Sequence, residues 1–221
     1  MDQPPATRVV LRPLATPLPL GFLALALATT VFSAVQLGWV AADQGRVAAL
    51  TALVATVPLQ LFASAFGFLT RDPVAATGMG VLSGTWAVTG ITTLTSPPGS
   101  TSSGLGVLLV VGGIAMLVPA AAAMGSKVVP AVVMTVAAAR FLATGVYEMT
   151  GSAAWEAVAG WVGVALAVIA LYTALALELE GVRERTVLPL GRHGAGRAAM
   201  AGKGPLDPTS LAEEAGVRPQ L

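Results

Sequence analysis

Six long apolar stretches divide the middle of the chain, and short clusters of charged residues, proline, glycine and serine separate them. A helix needs about 20 residues to cross a hydrocarbon core of about 30 Å, and every stretch is that long. The predicted membrane-spanning helices cover residues 19–41, 47–69, 74–94, 104–125, 128–149 and 155–179. A seventh helix does not fit comfortably into the same length.

This pattern predicts an all-α integral membrane bundle of six transmembrane helices. In lipid every backbone amide must be paired within its own segment, and the stretches lack the ten-residue alternation of a barrel. The first stretch is longer than the apolar region of a cleaved signal peptide, so we expect it to be retained. The predicted units are an N-terminal segment at 1–18, the bundle at 19–180, and a tail at 181–221 that is largely disordered after residue 191.

Composition supports a membrane protein and excludes several soluble classes. Residues of the apolar class make up 55% of the chain and charged residues only 10%, whereas soluble domains carry about 25% charged residues. Twelve Lys and Arg nearly balance eleven Asp and Glu, which gives no sign of a basic face for nucleic acid. Because the chain has no cysteine, it has no disulfide framework or thiolate nucleophile.

The distribution of positive charge predicts the orientation. Cytoplasmic flanks of membrane helices retain Lys and Arg, and the connections on one side of the bundle carry far more of them than those on the other. The second side has Arg46 alone. Both termini are therefore expected in the cytoplasm, together with Arg8, Arg12, Arg71, Lys127, Arg183, Arg185, Arg192, Arg197 and Lys203.

Arg140 is the most unusual polar residue, because it falls about twelve residues into the fifth predicted span. A guanidinium near mid-membrane costs at least about 2.5 kcal/mol, so it must face protein, water or an anion. One interpretation is that Arg140 attracts an anionic substrate, since its fork of donors matches a carboxylate. The other is a structural arginine that is paired with carbonyls or lies at a subunit interface.

Gln60 is the second candidate for a pathway residue, because a side-chain amide has more donors and acceptors than the neighbouring backbone can pair. Most Ser and Thr in the spans, including Thr29, Ser33 and Thr144, are expected to bond their own preceding carbonyls. The acidic residues lie at or beyond the predicted membrane ends, where solvation explains them. These are Asp43, Asp72, Glu156, Glu178 and Glu180; Glu148 is a separate case, because it lies near the outer end of the fifth span, two turns beyond Arg140 on a similar face.

The sequence does not indicate an enzyme, and we expect no metal site and no cofactor. The one histidine, His193, follows the last span, so a histidine-based metal site or catalytic triad cannot be assembled within one chain. A phosphate-binding loop of the G-x-x-x-x-G-K-[ST] type is also missing, which disfavours ATP-driven transport by this chain alone.

Five motifs in order resemble the acetate uptake transporter family, the succinate/acetate permease-like membrane proteins. Thr16-Pro17-Leu18-Pro19-Leu20-Gly21 resembles its Asn-Pro-Ala-Pro-Leu-Gly signature, of which Pro17, Pro19 and Gly21 are retained. Gln60-Leu61-Phe62-Ala63 is similar to its Gln-Ile-Phe-Ala. The other three are Trp86 in the third span, Gly160-Trp161-Val162-Gly163 with Leu171-Tyr172, and Arg185-Thr186-Val187-Leu188-Pro189-Leu190-Gly191.

The resemblance implies a six-helix protomer, a hexameric assembly, and a path for acetate and small dicarboxylates through each protomer. The family's constriction of Phe, Tyr and Leu falls at Leu25, Leu82 and Thr135, if no gaps intervene. Loss of both aromatic residues is expected to widen or reshape this gate. Arg140 occupies a position where the family has a small or apolar residue.

These expectations combine into a plasma-membrane transporter or channel for small organic anions, with acetate-like monocarboxylates first and succinate as a further candidate. Flux is either proton-linked or passive. An apolar constriction of Leu25, Leu82 and Thr135 selects against large solutes, Gln60 supplies hydrogen bonds, and Arg140 lowers the electrostatic cost of an anion. The alternative is a non-transporting sensor or assembly subunit that retains the family bundle.

Overall fold

Helices are the regular elements throughout the part of the chain that the computed structural model describes, residues 14–183 and 185–194. Six segments there are long and apolar enough to cross a membrane, which confirms the predicted six-span all-α bundle. The α-helices are α1 (Leu18–Gln36), α2 (Gly45–Leu50), α3 (Val57–Leu69), α4 (Met79–Thr95), α5 (Ser103–Met124), α6 (Val128–Thr150) and α7 (Ala153–Arg183).

Two of the spans contain a π-helical segment. One, Thr51–Thr56, joins α2 to α3 in the second span, Ala42–Leu69; the other, Val74–Gly78, precedes α4 in the third span, Val74–Thr95. The first ends beside Pro58, which has no N–H to bond the preceding turn, and a wider turn accommodates this loss. The α3 helix, which carries Gln60, therefore begins at a change in helical winding.

Small residues let the helices approach closely. A methyl group added at Gly145 of α6 would stand 2.8 Å from the carbonyl oxygen of Gly106 on α5, and one at Gly113 would stand 2.9 Å from that of Ala138. Between helices in lipid, such contacts replace the hydrophobic effect as the source of association. Large apolar side chains such as Val54, Phe68 and Val118 lie exposed on the outside of the bundle.

We name the two ends of the bundle by their residues. The terminal face holds the start of α1, the turn between α3 and Val74, Lys127, and the end of α7. The distal face holds the end of α1, the 96–102 connection and the α6–α7 turn at Gly151. Among the described Lys and Arg residues in the connections, Arg71, Lys127, Arg185 and Arg192 lie at the terminal face. At the distal face, Arg46 lies in the first turn of α2. The cytoplasmic location of the termini stays a prediction.

Residues 185–194, which we call the return segment, run back across the terminal face to the start of α6. The N–H groups of Val128 and Val129 donate to the carbonyl oxygens of Gly191 and Leu190, at 3.3 and 3.2 Å. These N–H groups lie in the first turn of α6, where the helix itself offers no acceptor. The return segment therefore caps α6. Its own residue Leu190 is buried.

Glu180 and Arg192 fasten the return segment to α7. The Glu180 carboxylate accepts from Arg192 Nε at 2.9 Å and from Arg192 Nη2, and also from the hydroxyl of Thr186 at 2.9 Å. Glu180, which we expected to be solvated, is instead buried, because the chain returns over it. Most of the tail for which disorder is predicted, residues 195–221, lies outside the described residues, as do residues 1–13 and 184.

Replacement of Arg192 by Gln is expected to lower the free energy of unfolding by about 2 kcal/mol, because the substitution leaves the Glu180 carboxylate partly buried without its cation. Thermal unfolding in detergent, followed by circular dichroism, measures the effect. Arg183→Gln, at an exposed position at the end of α7, is the control. Equal midpoints for the two variants would show that the return segment is not held in this way.

Candidate functional site

A cavity of about 510 Å³, the distal vestibule, opens at the distal face. Its wall mixes apolar and polar side chains, and the charged residues in it are Asp43, Glu148, Glu156 and Arg46. Glu148 accepts a hydrogen bond of 2.7 Å from the Ser102 N–H, which fixes it at the start of α5. Deeper in the bundle, Phe32, Gln36, Thr89, Leu105 and Thr144 also line the cavity.

A second cavity of about 340 Å³, the terminal vestibule, opens at the terminal face. The ammonium of Lys127 lies 3.9 Å from the Asp72 carboxylate at its wall. Burial lowers the pKa of the Lys127 ammonium, and the charge of Asp72 opposes part of that change. The first residue of α1, Leu18, lies at the base of this cavity and is buried.

Between the vestibules the bundle is filled by apolar side chains. Leu25 of α1 and Leu82 of α4, both predicted for the constriction, are completely buried in one hydrophobic cluster, with Phe22, Met79 and Met134 beside them. The hydroxyl of Ser83 donates to the Val57 carbonyl at 3.0 Å, and this bond joins α4 to α3 at the same depth. Within the described part of the chain, buried apolar side chains therefore separate the two vestibules.

Gln60 lies on α3 within one helical turn of Val57. Because the Val57 carbonyl accepts from Ser83, the residue after Leu82, Gln60 lies close to the level of Leu82 in the bundle. Its side chain is completely buried, and among the described residues neither its Nε2 nor its Oε1 has a hydrogen-bond partner. An unpaired buried amide costs about 1–3 kcal/mol, and native proteins retain such groups for a reason. A polar guest or water entering the path between the vestibules can pair both atoms.

Arg140 projects from α6 toward α1 and is buried. It lies about 18 Å from the start of α6, which is about 34 Å long, and so near the middle of the span. Its Nη1 donates to Thr29, through both the hydroxyl and the carbonyl oxygen (3.0 Å for the latter), and to the Ser33 hydroxyl at 2.7 Å. Nη2 lies 3.4 Å from Gln36 Oε1. Within the described part of the chain the acceptors of Arg140 are uncharged, so its charge is not neutralised.

Gly163 of α7 makes room for Arg140. A methyl group added there would overlap the guanidinium and the Ser33 hydroxyl. The motif that contains Gly163 was used above only as a family resemblance, and the sequence offers no signal for this contact. Three helices, α1, α6 and α7, thus meet at one cation.

Three aromatic rings lie at about the same depth in the bundle as the Arg140 guanidinium. Trp86 of α4 stands between Phe32 of α1 and Phe141 of α6, with ring centroids 5.4 and 6.0 Å away. The central carbon of the Arg140 guanidinium lies 5.9 Å from the Trp86 ring centroid, within the range of a cation–π contact. Trp86 Nε1 is buried and has no partner in the part of the chain that the structure describes, and the same holds for the hydroxyl of Thr144, one turn beyond Arg140 on α6.

The structure brings most of the predicted pathway residues together but separates Thr135 from them. Thr135 lies exposed on α6 and bonds the carbonyl of Ala131, whereas its neighbour Met134 is buried among the core residues. One step along a helix turns a side chain by about 100°, which directs Met134 toward the core and Thr135 away from it. Pro17, Pro19 and Gly21 are buried at the start of α1.

Sequence reasoning did not single out Phe32, Phe141, Met134, Gly163 or Thr144. The spacing of Thr144 and Arg140, four residues apart on one helix, is the one signal that was available for any of them. Within residues 14–183 and 185–194, no group of three His, Asp or Glu side chains is placed to hold a metal ion.

Comparison with known proteins gives a family and a fold. A sequence model of the GPR1/FUN34/yaaH family matches residues 2–186. A solved structure, described as that of the bacterial acetate channel SatP, superposes with a TM-score of 0.72 at 23% identity, covering 81% of this chain and 100% of that one. Curated proteins give no significant match. The predicted family resemblance is confirmed, and the six apolar helices are those of a multi-pass plasma-membrane protein.

Replacement of Gly163 by Ala is expected to destabilise the bundle by about 1–3 kcal/mol, because the added methyl group must displace the guanidinium or separate α7 from α1. Gly181→Ala on the same helix is the matched control, since nothing lies within 4 Å of its added methyl group. Alanine favours a helix over glycine, so the control should be neutral or slightly stabilising. Thermal midpoints in detergent test this difference, and a Gly163→Ala midpoint as high as that of the control contradicts the packing described.

Proposed function

The chain belongs to the GPR1/FUN34/yaaH family, and on that premise we propose that it is a transporter or channel for small carboxylates. Acetate-like monocarboxylates are the first candidates and succinate is a further one. The solved structure with the same fold is described as an acetate channel, which supports the substrate class. The observation that carries the proposal is the Gln60 amide, which is buried inside the bundle and unpaired among the described residues.

The route we propose runs from the distal vestibule past Arg140 and Trp86, between Leu25 and Leu82, and past Gln60 to the terminal vestibule. Arg140 lowers the electrostatic cost of a negative charge in a region of low dielectric, and Gln60 pairs the polar atoms of the guest. Leu25 and Leu82 exclude large and strongly hydrated solutes. Thr135 remains a proposed lining residue only if α6 rotates when the path opens.

We place the terminal face in the cytoplasm, because it carries most of the Lys and Arg residues of the connections. We also propose that the chain forms a homo-oligomer, a hexamer by family resemblance. The large apolar side chains on the outside of the bundle suit both a neighbouring protomer and lipid.

The rival function is a membrane sensor or assembly subunit that does not transport. The apolar core favours it, because buried apolar side chains separate the two vestibules within the described part of the chain. The two functions differ in one measurable property, the flux of carboxylate across a membrane. Uptake of labelled acetate, succinate and lactate into proteoliposomes separates them, and no uptake of any carboxylate rejects the transport proposal.

Replacement of Gln60 by Leu is expected to raise the thermal midpoint and to lower acetate uptake about tenfold. The free energy of unfolding rises because an unpaired buried amide is removed. Uptake falls because the guest loses its hydrogen bonds at the narrowest point of the proposed route. Gln44→Leu, at an exposed position on the distal face, is the control.

A stabilised Gln60→Leu protein with unchanged uptake would remove Gln60 from the route. A loss of both stability and uptake would show that the amide is structural. In each case the Gln44→Leu protein, which should transport normally, confirms that the reconstitution is sound.

A further inference from the structure

We propose that the chain holds a monocarboxylate with an apolar body at the inner end of the distal vestibule, on the open edge of Arg140. Trp86 Nε1 and the Thr144 hydroxyl are its further donors. The inference deepens the proposed function and rests on it, since it names a binding site on the proposed route. It also names the class of anion that the site accepts.

The guanidinium has a donor edge whose one hydrogen bond, among the described residues, is the long one from Nη2 to Gln36. Of its five N–H groups, the two on Nη1 are directed to Thr29 and Ser33. The three on Nε and Nη2 have one contact within the described residues, the 3.4 Å approach to Gln36. The Nε and Nη2 groups form one side of the fork, which is a geometry that binds both oxygens of a carboxylate in parallel.

The other unpaired groups nearby are also donors. Trp86 Nε1 can only donate, and the Thr144 hydroxyl lacks any acceptor. An ionised carboxylate only accepts, so it complements all of these groups at once. A neutral amide or an alcohol would bring donors of its own and would leave the positive charge of Arg140 unpaired.

The distal vestibule gives access to this site. Gln36 and Thr144 line the cavity, Gln36 contacts Arg140, and Thr144 follows Arg140 by one turn on α6. An anion that enters the cavity therefore reaches the open edge of the guanidinium by passing these two side chains.

The aromatic rings determine what is attached to the carboxylate. Phe32 and Phe141 pack against Trp86 on either side, so the surroundings of the carboxylate are apolar. A hydrocarbon tail of a few carbons can replace water there at a gain. The site therefore favours an apolar monocarboxylate such as butyrate over a more polar acid of equal length.

The entrance disfavours anions of higher charge. Asp43, Glu148 and Glu156 line the same cavity and are opposed there by Arg46. The second carboxylate of a dianion bound at Arg140 would lie in this negative field, whereas a monoanion carries no second charge to be repelled. Succinate is therefore expected to bind more weakly than butyrate, which has the same number of carbons.

Tryptophan fluorescence of the purified full chain at pH 7.5 tests the proposal, because Trp86 adjoins the site. Titration with butyrate should give a saturable change, whereas its neutral isostere butyramide should give none and succinate should require at least about tenfold higher concentration. The change should disappear in Trp86→Phe and persist in Trp161→Phe, since Trp161 lies exposed on α7.

Two further variants identify the donors. Arg140→Gln and Thr144→Val should each weaken butyrate binding about tenfold or more, whereas Thr150→Val, at an exposed position on the same helix, should not. Because Thr144→Val removes no charge, it keeps the test valid if Arg140→Gln does not fold. Equal responses to butyrate and butyramide, or full binding by Thr144→Val and Trp86→Phe, overturn the site.

Uptake of acetate and butyrate into proteoliposomes distinguishes failure of the binding-site proposal from failure of the proposed transport function. Uptake without a saturable fluorescence change rejects the binding site and leaves the transport function standing. A saturable change without uptake supports the site and rejects transport, in which case the protein is an anion sensor.

Discussion

The guanidinium of Arg140 carries a permanent positive charge to the middle of the bundle, and the oxygen atoms around it are uncharged. Neutral oxygens stabilise a buried cation but do not neutralise it. The packing of α1, α6 and α7 depends on this arrangement, because Thr29 and Ser33 must face α6 and residue 163 must be a glycine. The same arrangement leaves a positive field inside a region of low dielectric, where an anion otherwise meets its largest barrier.

Around this cation the bundle combines tight packing with unpaired polar atoms. Glycine and alanine bring the helix backbones into contact, as at Gly106 and Gly145, whereas Gln60, Trp86 and Thr144 retain donors or acceptors without partners. These unpaired atoms are buried inside the bundle and do not lie on the surface that meets lipid. A protein selected for stability alone would replace them with apolar groups at little cost.

Much of the fold was predictable because its determinant is local. Runs of about 20 apolar residues bounded by charges give the six spans to within a few residues, and the position of Arg140 in its span follows from the same pattern. The partners of Arg140 were not predictable. Thr29 and Thr30 are adjacent in sequence, yet Thr30 bonds its own preceding carbonyl while Thr29, turned by about 100°, accepts from Arg140. The pairing of Glu180 with Arg192 likewise depends on the path of the chain after α7, which helical periodicity does not encode.

The central claim is that an anion binds the Nε and Nη2 edge of this buried cation. Crystals soaked with bromoacetate, whose bromine is located by its anomalous X-ray scattering, test it most directly. The account predicts a bromine position beside the Arg140 guanidinium, with the carboxylate facing Nε and Nη2 between Trp86 and Thr144. Bromine found only elsewhere, with the guanidinium still bonded to the oxygens of α1 alone, would contradict the account.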